Sequence, residues 1–399
     1  MKYYQKNVSL VVNEGKCAGC YACYNICPLK AIEMRLSDEG FYVPNINDTL
    51  CSECGLCLNV CPVVNIPSGN RFPSPIAYTA WSLNETTRIS SSSGGIYPEL
   101  ARMVLEKKGV VFAVGWSKEW FAEHKEVTDT QKIPETLGSK YVQSKVGDSY
   151  EKVIGYISGG KQVLFVGTPC QIAGLRNVIK QERITENDVI LVDLVCHGVP
   201  SLFAFKKYLK EHFETDKIES IQFRNKSKGW TRFQIVIETI DGKKYEAVYY
   251  KDSFFYGFLI NLYLASICYN CPFSKIPRQG DITLGDFWGV PKEYKDERGV
   301  SVVLVNSEKG NEFFSELIEG KRIFAEQVPL EIAAKSNPRI ISGRLEIPKE
   351  REQILKALNN KSWKYIARKY IKPPVGLRSI IIRRGLSFAK RMIKKIFKE

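Results

Sequence analysis

No stretch of this 399-residue chain approaches the ~18 consecutive apolar residues that a membrane-crossing helix needs, so a soluble or peripheral protein is expected. The opening Met1-Lys-Tyr-Tyr-Gln-Lys holds no apolar segment of the secretory kind. That argues against a secreted disulfide framework and points to a reducing cytoplasm. Neither a Walker loop nor a strand-bound G-x-G-x-x-G occurs, so neither an NTPase nor a standard Rossmann nicotinamide site is supported. Zinc-finger patterns and aromatic-and-basic RNA motifs are also missing, and no nucleic-acid partner is expected. Histidine is scarce: only His124, His197 and His212 occur, and His124 and His212 read as surface residues.

Cysteine, by contrast, is plentiful, with 12 in the chain. Eight fall in two runs, Cys17-x2-Cys20-x2-Cys23-x3-Cys27-Pro28 and Cys51-x2-Cys54-x2-Cys57-x3-Cys61-Pro62, each residue of the second lying 34 positions after its counterpart. This duplicated C-x2-C-x2-C-x3-C-P run is how bacterial ferredoxins hold two [4Fe–4S] clusters. Three thiolates in one irregular loop wrap three corners of a cubane, and the fourth cysteine crosses over to the other cluster. One cluster is therefore expected on Cys17, Cys20, Cys23 and Cys61, and the other on Cys51, Cys54, Cys57 and Cys27. Zinc would want paired C-x2-C arms instead.

The fold class expected is α+β: a small bacterial-ferredoxin-like domain over residues 1–66, then an α/β domain with a mixed sheet. Ile32 to Arg35 and Phe41 to Val43 flank Asp38-Glu39-Gly40 as a hairpin of the small domain. Pro67-Ser-Gly-Asn70 and Phe72-Pro-Ser-Pro75 read as a linker. Beyond it, strand and helix signals alternate, in a first part over 76–155 and a second over 156–335. The buried strands are Val110–Val114, Gln162–Val166 and Val189–Val195, with helices over Gly95–Glu106, Cys170–Lys180 and Leu202–His212. Three strands between Ile218 and Tyr250 read as an antiparallel insertion.

Several motifs have two readings. Ser91-Ser-Ser-Gly94-Gly95 precedes a helix and can cradle a phosphate, or can serve as a serine cap with a flexible lead-in. Gly167-Thr-Pro-Cys170-Gln171 and Asp193-Leu-Val-Cys196-His197-Gly198 both end strands, where open α/β sheets bind ligands. With Cys268-Tyr-Asn-Cys271 they supply four further thiols. These fit a third [4Fe–4S] cluster, a zinc site, or buried structural cysteines. His197 can donate protons to a cofactor or hydrogen-bond a cluster sulfide, or can be a satisfied turn residue. The turn Gly285-Asp-Phe-Trp-Gly289 can wall a planar cofactor or plug the core.

Taken together, SSSGG, Gly138-Ser-Lys140-Tyr141-Val-Gln-Ser144, GTPCQIAGLR (Gly167 to Arg176), DLVCHGVPS (Asp193 to Ser201), the Cys268/Cys271 pair and GDFWG resemble the coenzyme F420 hydrogenase/dehydrogenase beta-subunit family, over roughly Ile76 to Phe324. The resemblance implies an iron–sulfur flavoprotein oxidoreductase carrying FAD, in which Cys170, Cys196, Cys268 and Cys271 match the core cluster cysteines. It makes Ser93, Gly94, Gly95, Lys140, Tyr141, Thr168 and Gln171 candidates for the flavin pocket; His197, from its own place between Cys196 and Gly198, is the candidate catalytic residue. The implied partners are a redox protein such as a ferredoxin and a small-molecule donor or acceptor of coenzyme F420 type. The alternatives are a non-catalytic electron-transfer subunit feeding a partner enzyme, and a cluster-based redox sensor.

Net charge is +15, yet residues 362–399 hold twelve Lys and Arg against one acid and so carry most of it. From Ile380 onward a helical spacing places apolar residues on one side. Such a tail can lie on an anionic membrane, dock on its own domain, or bind an acidic partner.

Overall fold

The computed structural model describes residues 7–372. Its centre is an eight-stranded mixed sheet in the order Ile323–Val328, Ile76–Ser82, Ser301–Val305, Ile282–Asp286, Val189–Leu194, Val163–Gly167, Val110–Trp116 and Ala122–Val127. The strands Val110–Trp116, Val163–Gly167, Val189–Leu194 and Ile282–Asp286 run parallel to one another, and antiparallel strands flank them on both sides. Val-Leu-Phe-Val-Gly and Val-Ile-Leu-Val-Asp-Leu are near-continuous apolar runs because helices cover both faces of a parallel sheet. The carboxyl ends of the four parallel strands therefore open on one edge, and the chain's motifs gather there.

The expected antiparallel insertion is present as Ile218–Asn225, Gln234–Thr239 and Lys244–Val248. Ile32–Leu36 pairs with Tyr42–Ile46 as the hairpin of the small domain. The mixed α/β body behind a small ferredoxin-like region agrees with the fold class read from the sequence. Not expected from the sequence are the edge strand Ala122–Val127, whose Glu-His-Lys-Glu stretch hides its alternation, and the strands Ser301–Val305 and Ile323–Val328.

The ferredoxin-like region shares a core with the body. Tyr21, Ala22, Ile26, Tyr42 and Val60 belong to one buried cluster with Tyr150, Ile172 and Leu175. Polar contacts pin the same seam: Asn177 Nδ2 donates to Asn65 O at 2.7 Å, and Gln143 Oε1 accepts from Tyr42 N at 2.8 Å. Within 362–399, the described residues include the helix Trp363–Tyr370. Trp363 and Ile366 turn into the body, Trp363 Nε1 donates to Ser253 Oγ at 2.9 Å, and Lys364, Arg368 and Lys369 face out. The amphipathic segment expected from Ile380 lies outside the described residues. Among the described residues no helix is long and apolar enough to cross a membrane.

Candidate functional site

The two ferredoxin runs fold so that their thiols sort into two crossed sets. Cys27, Cys51, Cys54 and Cys57 line one small cavity; Cys17, Cys20, Cys23 and Cys61 line another. The fourth cysteine of each run thus stands with the first three of the other. Left-handed backbone at Gly19 and Gly55 lets each loop curl back on its sulfurs, and Gly19 N donates to Cys17 Sγ at 3.4 Å. The sets differ in depth. Cys54 is exposed and its set lies at the surface, whereas Cys20, Cys23 and Cys61 are buried. Burial pushes the Cys17 thiol up to about 12 and raises Cys20 and Cys23 as well. A thiolate at such depth needs a cationic partner, as an iron core would be, so the donor set suits iron–sulfur ligation.

Cys170 opens the helix Pro169–Gln181, whose first turn is built by Pro169 and by Gln171 Oε1 accepting from Thr168 N at 2.9 Å. Cys196 follows the neighbouring strand, and Cys268 and Cys271 sit in and just after the short turn Ser266–Tyr269. The four thiols lie within electrostatic reach of one another, and burial raises Cys170, Cys196 and Cys268, the last to about 12. The Cys170 end also approaches the inner ferredoxin set. Gly174, one turn along, leaves room for Cys20, and the Tyr150 hydroxyl lies 2.8 Å from both Cys20 O and Gln171 O.

Beside this set, the strand ends enclose a cavity of about 280 Å³. Ser93, Gly95, Lys140, Tyr141, Thr168, Gln171 and His197 line it, as does Cys196. Gly94 stands behind the wall, its N–H donating to Ser301 Oγ at 2.9 Å, and a side chain there would strike Ala80 O. Gly95 has φ 85° and caps the helix Ile96–Glu106, whose first turn lines the cavity. Lys140 donates to Leu137 O at 2.8 Å, and burial, with Lys125 nearby, lowers its amine to about 7. Gln171 is committed at both ends, since its Nε2 donates to Ser144 Oγ at 2.9 Å. His197 packs edge-on against Phe258, its ring held neutral mainly by burial; its Nε2 is buried without a hydrogen-bond partner, with the Asn261 side chain beside it.

The turn Gly285–Gly289 divides its residues between the cavity and the core. Gly285 and Asp286 reach the cavity, whereas Phe287 is fully buried and Trp288 stacks on Trp230 at 5.0 Å. Sequence reasoning missed the partner of Asp286: Arg224 grips it with two hydrogen bonds, 2.8 and 2.7 Å, from inside the antiparallel insertion. An isolated arginine in a strand gives no warning of such a role.

His124 is a correction. It is not a surface residue: its ring stacks on Phe165 at 4.8 Å, its Nε2 lies 3.2 Å from Val166 O, and burial lowers it to about 4. The strand Ala122–Val127 carries it against the sheet rather than into solvent. His212 is exposed, as read.

Residues 77–149 match the family model described as coenzyme F420 hydrogenase/dehydrogenase, beta subunit N-term, and residues 160–330 match the corresponding C terminus model. The two together span more than half of the chain. Residues 16–65 match a 4Fe-4S dicluster domain. Among solved structures, a chain of the F420-reducing [NiFe] hydrogenase complex from Methanosarcina barkeri aligns with TM-score 0.48 and 18% identity, covering 77% of this chain and 97% of that one. No curated protein matches the sequence.

Proposed function

The chain belongs to the coenzyme F420 hydrogenase/dehydrogenase beta-subunit family, with a 4Fe-4S dicluster domain in front, and on that premise we propose that it is an iron–sulfur flavoprotein oxidoreductase. In this reading it passes electrons between [4Fe–4S] clusters and FAD, to or from a two-electron partner of coenzyme F420 type or another small organic molecule. The observation that carries it is the continuity of the three thiol sets with the cavity. The outer set meets the surface at Cys54, the inner set meets the core set across Gly174, and the core set meets the cavity at Cys196 and His197.

A flavin, when bound, exchanges one electron or two, which lets single-electron clusters serve a two-electron substrate. The chain's own residues supply the rest. The helix start at Gly95 and the buried amine of Lys140 suit the phosphates of a dinucleotide. Tyr141, wedged among Phe223, Phe255 and Phe258, gives the cavity a flat aromatic wall. His197, neutral near pH 7, holds a single ring proton beside the cavity and is our candidate for proton transfer. The core thiols suit a third cluster better than zinc. Zinc has no redox chemistry and would interrupt an electron path that a cubane continues. Soluble redox partners such as a ferredoxin would meet the outer set.

The test is twofold: acid-released cofactor from anaerobically purified protein, and turnover with an artificial donor and acceptor without a partner protein. FAD at about one per chain with partner-free turnover supports the reading. Full iron without flavin, even after reconstitution, would make the chain a non-catalytic electron-transfer subunit.

A further inference from the structure

Three arginines other than Arg339 are as deeply buried among the described residues, and each pairs with an aspartate: Arg88 with Asp296, Arg224 with Asp286, Arg278 with Asp193. Arg339 is 5% exposed, and no carboxylate pairs with it among the described residues. Leaving a buried cation without an anion is strongly unfavourable, so a negative charge is expected from another source.

Its guanidinium is spent on the core thiol loops. Nε donates to Cys196 O at 3.0 Å, one terminal nitrogen to Gly343 O at 2.7 Å, and the other to Cys268 O at 3.3 Å. Gly343 O in turn accepts from Cys271 N at 2.9 Å. One side chain therefore ties together the segments of three of the four core cysteines. Arg278 holds it in place, donating to Arg339 O at 3.2 Å and to Leu194 O at 2.9 Å, just before the Cys196 loop. Arg339 lies beyond the matched family region, so its role is not implied by the match.

We propose that Arg339 is the counter-charge of the core cluster and sets its reduction potential. The inference rests on the reading of Cys170, Cys196, Cys268 and Cys271 as one cluster's ligands. Four thiolates make an iron–sulfur cubane a net anion, and an added electron makes it more so. A fixed cation a few ångströms away favours the reduced form more than the oxidised one and raises the potential. Arg339 is a positioning residue that holds three carbonyls from three nitrogens, and its charge is what acts on the cluster.

The experiment uses full-length, anaerobically purified wild type, Arg339→Lys and Arg339→Gln, with iron counted and each cluster titrated by electron paramagnetic resonance. The Lys protein should keep a core-cluster potential near that of wild type. In the Gln protein the reduced-to-oxidised ratio at a fixed potential should fall at least tenfold, about 59 mV for a one-electron couple. The ferredoxin pair, left unchanged, is the internal reference. Loss of core iron in the Gln protein with retention in the Lys protein also supports a required charge. Equal potentials in Gln and wild type would overturn the inference alone, as would a Lys protein that behaves like Gln. Wild-type iron near eight would overturn the three-cluster reading and this inference with it.

Discussion

A Cβ atom placed on Gly174 would lie 3.2 Å from Cys20 Sγ and 3.3 Å from the Ala22 methyl. The helix that begins with Cys170 can press against the inner ferredoxin loop only because position 174 has no side chain. Gly174→Val should therefore cost about 1–3 kcal/mol by overpacking, read as a lowered denaturant midpoint. Gly155, mid-helix with nothing within 4 Å of its missing Cβ, is the control: Gly155→Ala should stabilise by about 0.5–1 kcal/mol. Equal effects at the two sites would contradict the close approach.

Iron should number about twelve per chain in anaerobically purified protein, four for each thiol set. Cys170→Ser or Cys271→Ser should remove about four while sparing the ferredoxin pair. Zinc in place of the third set would sink that assignment.

Acid should act on His124. Burial lowers its folded-state value to about 4 from an ordinary 6.5, so between those two pH values the unfolded chain binds a proton that the folded chain does not. Stability must then fall as pH drops through that window. From pH 7 to 5 the contribution is about 1–2 kcal/mol. His124→Gln should flatten this part of the unfolding profile, and an unchanged slope would rule His124 out as its source.

The basic segment after Lys372 gives a prediction of its own. We expect the full chain to sediment with anionic vesicles at low salt, less so at high salt, and a chain ending at Lys372 not to. Binding by both chains alike, or indifference to lipid charge, would reject a membrane role for it.

The readable parts of this sequence were those where chemistry fixes spacing. Thiols that must wrap a cubane leave an interval, and parallel strands buried on two faces leave an apolar run. That is why the crossed cysteine sets and the strands Val163–Gly167 and Val189–Leu194 could be read before any coordinates. Roles created by distant segments meeting were not readable. Arg224 and Asp286 are 62 positions apart, Arg339 and Cys196 are 143, and nothing local marks either pair. His124 failed for a related reason. Its neighbours are charged, and only the sheet edge behind it makes the site apolar.

Because Tyr21, Ala22 and Tyr42 share a buried core with Tyr150 and Leu175, the ferredoxin-like unit and the sheet share one thermodynamic fate. Whatever binds the folded form alone stabilises everything that folds with it. Iron bound at Cys20 and Cys23, as proposed, would therefore also steady strands that never touch it. Conversely, oxidative damage to that metal would weaken the enclosure around the cavity before any residue there had been harmed.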